Sequence, residues 1–124
     1  MKVHDWENTY KTKGVVQEGI LPTVEQSVQI MLHNKCKRVL DLGCGTGRHT
    51  LFLAQNNFEV YGTDISQTAI DSTRQRALQL NFNVKLYAFT GVEGAILYRS
   101  KILASFGAIP IARAVASSLL NTIG

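Results

Sequence analysis

The sequence has few cysteines and no long apolar run, and each shortage excludes a class of protein. Cys36 and Cys44 are the only cysteines in the 124 residues, and they do not form the pattern of a metal site. No segment is long enough and free enough of charge to span a membrane. The polar N-terminus lacks the apolar core of a secretory signal peptide. We therefore expect a reducing, cytoplasmic setting, with neither a metal nor a membrane involved.

The net charge of the chain is small. The formal net charge is +4, and the basic residues occur in small groups such as Lys11 with Lys13 and Lys35 with Lys37. They form neither a basic helix nor a stripe interleaved with aromatic residues, so the sequence does not support nucleic-acid binding. Hydrophobic residues make up 45% of the chain, which is ordinary for a globular protein and does not indicate disorder.

Acidic residues are missing from the end of the chain. No aspartate follows Asp71, and residues 94–124 contain no acid at all. This shift in composition leads us to divide a single domain, residues 1–124, into an N-terminal segment 1–36, a core 37–88 and an atypical apolar tail 89–124. In the tail, Ala95–Tyr98 is a candidate strand, and apolar residues at helical spacing after Pro110 predict a final amphipathic helix.

The most informative stretch runs from Arg38 to Arg48 and reads RVLDLGCGTGR. Its first half is a nearly continuous apolar run, which is typical of a strand that is buried on both faces. Gly43, Gly45 and Gly47 then allow a sharp turn and a close approach of the backbone to a ligand. The helix that follows would direct its first N–H groups toward the same ligand. The stretch therefore predicts a site for the polar part of a nucleotide-like cofactor, with a bare strand–turn–helix corner as the alternative.

The glycine spacing narrows the choice of cofactor. Gly43 and Gly45 fit the dinucleotide fingerprint G-x-G-x-x-G, but its third position holds Arg48 and Gly47 comes one residue early. With Asp41 included, the pattern is D-x-G-x-G-x-G. It resembles motif I of the class I S-adenosylmethionine-dependent methyltransferases. This resemblance implies S-adenosyl-L-methionine as cofactor, its carboxylate on backbone N–H groups of the loop and its ammonium near Asp41.

A second motif, Val60–Ser66, strengthens the resemblance. It reads as another buried strand, and it ends in Asp64, 21 residues after Gly43. An acid at an offset of about 20 residues is expected to meet the ribose hydroxyls. Ile65 would then lie against the adenine. The alternative role for Asp64 is a helix cap, for which Ser66 is better placed.

Strands and helices alternate in the predicted order. The apolar positions between Leu21 and Leu32 indicate an amphipathic helix with Pro22 in its first turn. Further predicted elements are a helix after the glycine loop, a strand at Glu59–Thr63, a helix at Gln67–Leu80 and a strand at Asn83–Ala88. This order predicts a doubly wound, Rossmann-like α/β fold with a parallel sheet and helices on both faces. By resemblance, strand two lies between strands one and three, and the chain contains only this part of the methyltransferase sheet.

Details of the helix after the glycine loop are also predicted. Thr46 would cap it, and Asn56–Asn57 would end it in a left-handed conformation. Its inward-facing residues would be Leu51, Phe52 and Ala54. His49 could line the cofactor pocket, whereas Cys44 is interpreted as a small packing residue rather than a reactive one.

The N-terminal segment carries Trp6 and Tyr10, which would share one face of a helix. The resemblance implies that N-terminal aromatic residues such as Tyr10 close over the cofactor as a lid, while simple packing on the sheet is the alternative. The resemblance thus implies a set of cofactor-binding residues: Asp41, Gly43, Cys44, Gly45, Thr46, Gly47, Asp64, Ile65 and Tyr10.

The resemblance ends at about Ala88. The family usually has an acid after strand three, but this chain has Phe89, Thr90 and Gly91 there. A conventional fourth strand, which would pair with strand one, is not recognisable. Without it, strand one has an open apolar edge. We expect that the tail covers this edge, that the chain self-associates through it, or that the chain is poorly stable.

The leading hypothesis is an S-adenosylmethionine-dependent methyltransferase whose acceptor, a small molecule or a macromolecule, is unknown. No catalytic residue is named, because much of the rate of methyl transfer comes from positioning and a base is needed only for a protonated acceptor. One alternative is a non-catalytic S-adenosylmethionine-binding module that lacks the acceptor site. The other is an NAD(P)-binding Rossmann domain, against which the glycine spacing and Arg48 argue.

Overall fold

A computed structural model describes residues 4–15 and 18–88 of the chain. The elements in these residues are, in order, α1 (Trp6–Lys13), α2 (Pro22–His33), β1 (Arg38–Leu42), α3 (Arg48–Gln55), β2 (Glu59–Asp64), α4 (Gln67–Gln79) and β3 (Lys85–Ala88), with helices and strands alternating from α2 onward. The candidate strand and final helix predicted for the tail lie outside the described residues, as do Phe89–Gly91.

The three described strands form one parallel sheet in the order β1-β2-β3, as predicted. Leu42 at the end of β1 lies opposite Thr63, and Asp64 at the end of β2 lies opposite Ala88. The prediction of a partial Rossmann-like α/β fold is confirmed for these residues. Because the strands are parallel, their carboxyl ends meet at one edge of the sheet, which is where such folds bind ligands.

The main core lies between this sheet and two of the helices. Val28 and Met31 of α2 and Leu53 of α3 pack with Val39 and Val60 of the strands. All five side chains are at most 3% exposed, and burying each one contributes about 1.5 to 3 kcal/mol. The core therefore fixes β1, β2, α2 and α3 relative to one another.

The predicted inward faces of two helices need correction. On α3 the fully buried apolar residue is Leu53, whereas Phe52 and Ala54 are only partly buried. Leu53 shares a face with His49 and Thr50, because residues three and four apart on a helix lie above one another. On α2, Leu32 is 47% exposed, since it lies about 100° around the helix from the buried Met31.

Most helix ends follow the sequence signals. Ser66 caps α4, with its Oγ accepting a hydrogen bond from the Ala69 N–H at 3.1 Å. Pro22 occupies the first turn of α2, and Asn57 has a left-handed φ of 68°. The prediction for Thr46 is wrong, because Gly47 is the N-cap residue of α3 and no side chain caps this helix. No helix of residues 4–15 and 18–88 combines the length and apolar character needed to cross a membrane.

Candidate functional site

The glycine loop is tied to the end of β2. The Gly43 and Cys44 N–H groups both donate to the Thr63 carbonyl at 2.8 Å. The Gly45 N–H donates to Asp64 Oδ2 at 2.9 Å. The two motifs found in the sequence therefore meet in one corner, at the carboxyl ends of β1 and β2.

Most of the loop N–H groups that were expected to bind the cofactor carboxylate already have partners within the protein. Gly43, Cys44 and Gly45 donate within the protein, and the Gly47 N–H donates to the Cys44 carbonyl at 3.0 Å. The first turn of α3 offers further donors for an anionic group, because first-turn amides have no partner inside their own helix. This turn begins at Arg48 without a side-chain cap, and it carries the positive end of the helix dipole.

Side chains of helix α4 donate hydrogen bonds to carbonyl groups of the glycine loop. Thr73 is fully buried, and its Oγ1 donates to the Gly45 carbonyl at 2.8 Å and to the Ala69 carbonyl at 3.0 Å. Arg76 Nη1 donates to the Thr46 carbonyl at 2.6 Å. Sequence reasoning missed both residues, although their spacing of three places them on one helix face.

Two glycines are required by close contacts as well as by backbone conformation. Gly45 has a φ of 55°, and a Cβ there would lie 2.8 Å from the Tyr10 hydroxyl. Gly47 has a φ of 94°, and a Cβ there would lie 2.6 Å from Thr73 Cγ2. The loop thus fits between α1 and α4 because these positions lack side chains.

Asp64 is the partly exposed acid of the corner. Its Oδ1 accepts from the Ser66 N–H and its Oδ2 accepts from the Gly45 N–H, both at 2.9 Å. Desolvation raises the pKa of this carboxyl above its ordinary value, against the opposing effect of these hydrogen bonds. A carboxylate has about four acceptor positions, so Asp64 keeps capacity for further donors. Beside it, the Ile65 side chain is 53% exposed.

Asp41 is the buried acid of the corner. It is 1% exposed, and its Oδ2 accepts from Thr50 Oγ1 at 2.7 Å. Burial raises the pKa of this carboxyl to about 6. The side chain is turned inward and joins β1 to α3, and the expected place of a ligand ammonium near it stays a prediction. Thr50 was not singled out from the sequence.

Tyr10 lies against the loop, where the lid interpretation puts it. It is 7% exposed, and Trp6 stacks on it with ring centroids 5.8 Å apart. Burial, and secondly the charge of Asp64, raise the pKa of Tyr10 to about 12, so the phenol stays protonated near neutral pH. The helix that carries both aromatic residues is itself held on α4, as described below.

The other candidates from the sequence, Cys44, Thr46 and His49, are buried. Cys44 is 6% exposed, and burial raises the pKa of its thiol well above the ordinary value, in agreement with a packing role. Thr46 is also 6% exposed, and its carbonyl takes part in holding the loop. His49 Nε2 accepts from the Leu21 N–H at 3.3 Å, and its place in the cofactor pocket stays a prediction. Burial lowers the pKa of His49 to about 4.

Comparison with known proteins supports the assignment of this corner. A protein family described as "Methyltransferase domain" matches residues 39–93. This match contains both the glycine loop and Asp64, and it ends close to residue 88, where the sequence resemblance was predicted to end.

Two relatives are methyltransferases with different acceptors. The chain is 35% identical over 65 residues to 23S rRNA (uracil(1939)-C(5))-methyltransferase of Alkalilimnicola ehrlichii. This alignment covers 52% of this chain and 15% of the relative. It is 31% identical over 74 residues to phosphoethanolamine N-methyltransferase 3 of Arabidopsis thaliana, covering 59% of this chain and 15% of the relative. The chain thus spans a small part of these proteins.

The fold also matches a solved structure. The crystal structure of magnesium protoporphyrin IX methyltransferase from Synechocystis PCC 6803 with bound S-adenosylmethionine aligns with a TM-score of 0.55. The alignment covers 72% of this chain and 56% of that one, at 20% sequence identity, and so concerns the fold alone. Residues 39–93, which carry both motifs of this corner, are thus similar to the methyltransferase domain family.

Proposed function

We propose that this chain binds S-adenosyl-L-methionine at the corner between the glycine loop and the end of β2. One observation carries the proposal, namely that a partly exposed carboxylate, Asp64, is hydrogen-bonded to the loop at Gly45 and followed by the exposed Ile65. A carboxylate with spare acceptor positions can bind both hydroxyls of a ribose. An apolar side chain beside it supplies a surface for the adenine.

The residues present fit the rest of this cofactor. The first turn of α3 offers N–H groups and the positive end of a dipole, which suit the carboxylate of the amino acid end. Tyr10 lies over Gly45 and would bound the site on that side. Asp41, inside the protein, would act on the ammonium through its charge alone. Thr73 and Arg76 would keep the loop in the shape that this arrangement needs.

The proposed activity is methyl transfer. The bound cofactor supplies an electrophilic methyl group on a sulfonium. The residues of this chain bind and orient it, and such positioning supplies much of the rate in a displacement reaction. We assign no catalytic residue, since a general base is needed only when the acceptor carries a proton that must leave. The two curated relatives act on an RNA base and on phosphoethanolamine, so they leave the acceptor class open.

A non-catalytic binding module is the second candidate. It is favoured by the sequence after β3, where Phe89, Thr90 and Gly91 replace the acid that the family usually carries. The one acid that follows Asp71 is Glu93, two residues beyond Gly91. A methyl-transfer assay over a panel of RNA, protein and small-molecule acceptors separates the two candidates, because only the enzyme would turn over.

We also propose a reducing, cytoplasmic compartment. Cys36 and Cys44 are both free thiols, and free thiols are typical of proteins in compartments where cysteines stay reduced.

Calorimetric titration with S-adenosylhomocysteine tests the binding proposal. We expect the wild-type chain to bind this nucleoside and not NAD. Asp64→Asn removes one carboxylate oxygen and the charge, and should weaken binding roughly 10- to 100-fold, since a hydrogen bond to a charged group is worth about 1.5 to 3 kcal/mol. Asp71→Asn, an equal change on the exposed face of α4, should leave the affinity unaltered. Equal affinities for the wild type and Asp64→Asn would remove Asp64 from the site.

A further inference from the structure

Helix α1 is attached to the start of α4 by a single acidic side chain. Glu7 Oε2 accepts from Ser66 Oγ at 2.8 Å, and its Oε1 accepts from the Thr68 N–H at 3.0 Å and from Thr68 Oγ1. The hydrogen bond from Thr68 is the largest effect that lowers the pKa of this carboxyl. A carboxylate at this place also interacts favourably with the positive end of the α4 dipole.

The same attachment determines where Tyr10 lies. Glu7 and Tyr10 are three residues apart on α1 and therefore share one face of the helix. With Glu7 on α4, the Tyr10 hydroxyl lies close to Gly45. Ser66 links the two carboxylates of this region, because its Oγ donates to Glu7 and its N–H donates to Asp64.

The docked helix leaves part of the corner exposed. With α1 in place, Ile65 remains 53% exposed and Asp64 remains partly exposed. The surface proposed for sugar and adenine is therefore accessible, while the loop is covered by Tyr10. This combination indicates that α1 forms a wall of the site rather than filling it.

We propose that Glu7 is a positioning residue that keeps α1 docked on α4, so that Tyr10 completes the cofactor site and ligand affinity depends on this docking. The inference rests on the proposed function for its ligand, and on the Glu7 contacts for its mechanism. It assigns a role to a residue that the sequence motifs do not include.

Trp6 provides a direct measurement of docking. It is the only tryptophan of the chain, it lies on α1 next to Glu7, and it stacks on Tyr10. Glu7→Gln should release α1, so acrylamide should quench the Trp6 fluorescence at least about twofold more efficiently, since the variant loses hydrogen bonds to a charged group. Glu25→Gln on the exposed surface of α2 is the matched control and should behave as the wild type.

Ligand affinity is measured on the same variants. Glu7→Gln should weaken S-adenosylhomocysteine binding roughly 3- to 10-fold, because only the docked fraction binds well. Thr68→Val, which removes one donor to Glu7, should have a smaller effect. The double variant should be no weaker than Glu7→Gln alone, because both changes break the same contact.

The outcomes separate this inference from the proposed function. Unchanged quenching of Trp6 in Glu7→Gln would overturn the docking role. Increased quenching with unaltered or tighter ligand binding would overturn the link to affinity and leave the proposed function standing. Absence of ligand binding by every form would overturn the proposed function and that link together, while the quenching would still decide the docking role.

Discussion

Two buried ionisable residues, Asp41 and His49, oppose each other in the pH dependence of stability. Asp41 has a pKa raised to about 6, so its contribution is fully present below its ordinary pKa and is lost as the pH rises through 6. His49 has a pKa lowered to about 4, so its contribution is present above 6.5 and is lost as the pH falls through 4. Each shift corresponds to a free energy of unfolding on the order of 3 kcal/mol. The raised pKa of Asp64 acts in the same direction as that of Asp41, and the lowered pKa of Glu7 acts in the same direction as that of His49.

We therefore predict a nearly flat stability of the wild type between pH 4 and 6.5, with opposite slopes in two variants. Asp41→Asn, whose amide oxygen can still accept from Thr50, should become more stable as the pH rises. His49→Gln should become less stable as the pH rises. Urea denaturation at several pH values measures the slopes directly. Parallel profiles for all three proteins would show that these residues do not titrate as described.

At the residue scale, the sequence predicts the positions that follow from local spacing. Asp64 and Ile65 lie at the corner because a fixed offset from the glycine loop brings the ends of two adjacent strands together. Thr73 and Glu7 were not predicted. Their partners lie 28 and up to 61 residues away, and only the packing of α4 and α1 selects them.

At the element scale, the conformation of the glycine loop depends on the side chains of α1 and α4 that pack against it. Gly47→Ala should be strongly destabilising, because a left-handed conformation costs a side chain about 1 to 2 kcal/mol and the overlap with Thr73 adds about 1 to 3 kcal/mol. Gly19→Ala is the control, since Gly19 has a φ of 80° and no atom within 4 Å of its would-be Cβ. Gly19→Ala should cost only the conformational part.

A second variant isolates the steric part of this cost. Thr73→Ser removes Cγ2 and keeps the Oγ1 that donates to Gly45. In the Gly47→Ala background it should recover part of the lost free energy of unfolding, as read from urea midpoints. If Gly47→Ala and Gly19→Ala were equally stable, the contact with Thr73 would be unimportant.

Elements were easier to predict than their ends. Apolar runs identified all three described strands, and Ser66 and Pro22 marked two helix starts. The start of β3 was placed two residues early, at Asn83, because strand pairing with Tyr61 begins only at Lys85. The Thr46 cap failed because the left-handed Gly47 begins the helix one residue later.

For the whole molecule, the described sheet ends at β1. Its side chains are well covered, with Val39 fully buried and Leu40 3% exposed, but no described strand pairs with its outer edge. Edges of this kind attract further strands. We predict that residues 89–124 cover the edge, that two copies associate through it, or that the chain has low stability.

Size-exclusion chromatography with hydrogen exchange at two concentrations distinguishes these outcomes. If residues 89–124 cover the edge, the outward amides of residues 39–42 should be protected from hydrogen exchange at every concentration. Association should protect them only at the higher one. A stable monomer in which these amides exchange freely would contradict the prediction.

A crystal structure with S-adenosylhomocysteine tests the central claim most directly. The account predicts density at the glycine loop, with the ribose hydroxyls within hydrogen-bond distance of Asp64 and the adenine against Ile65. The amino acid end should lie by the start of α3, with Tyr10 over Gly45. A corner that stays empty at saturating ligand, or that binds a pyrophosphate group instead, would contradict it.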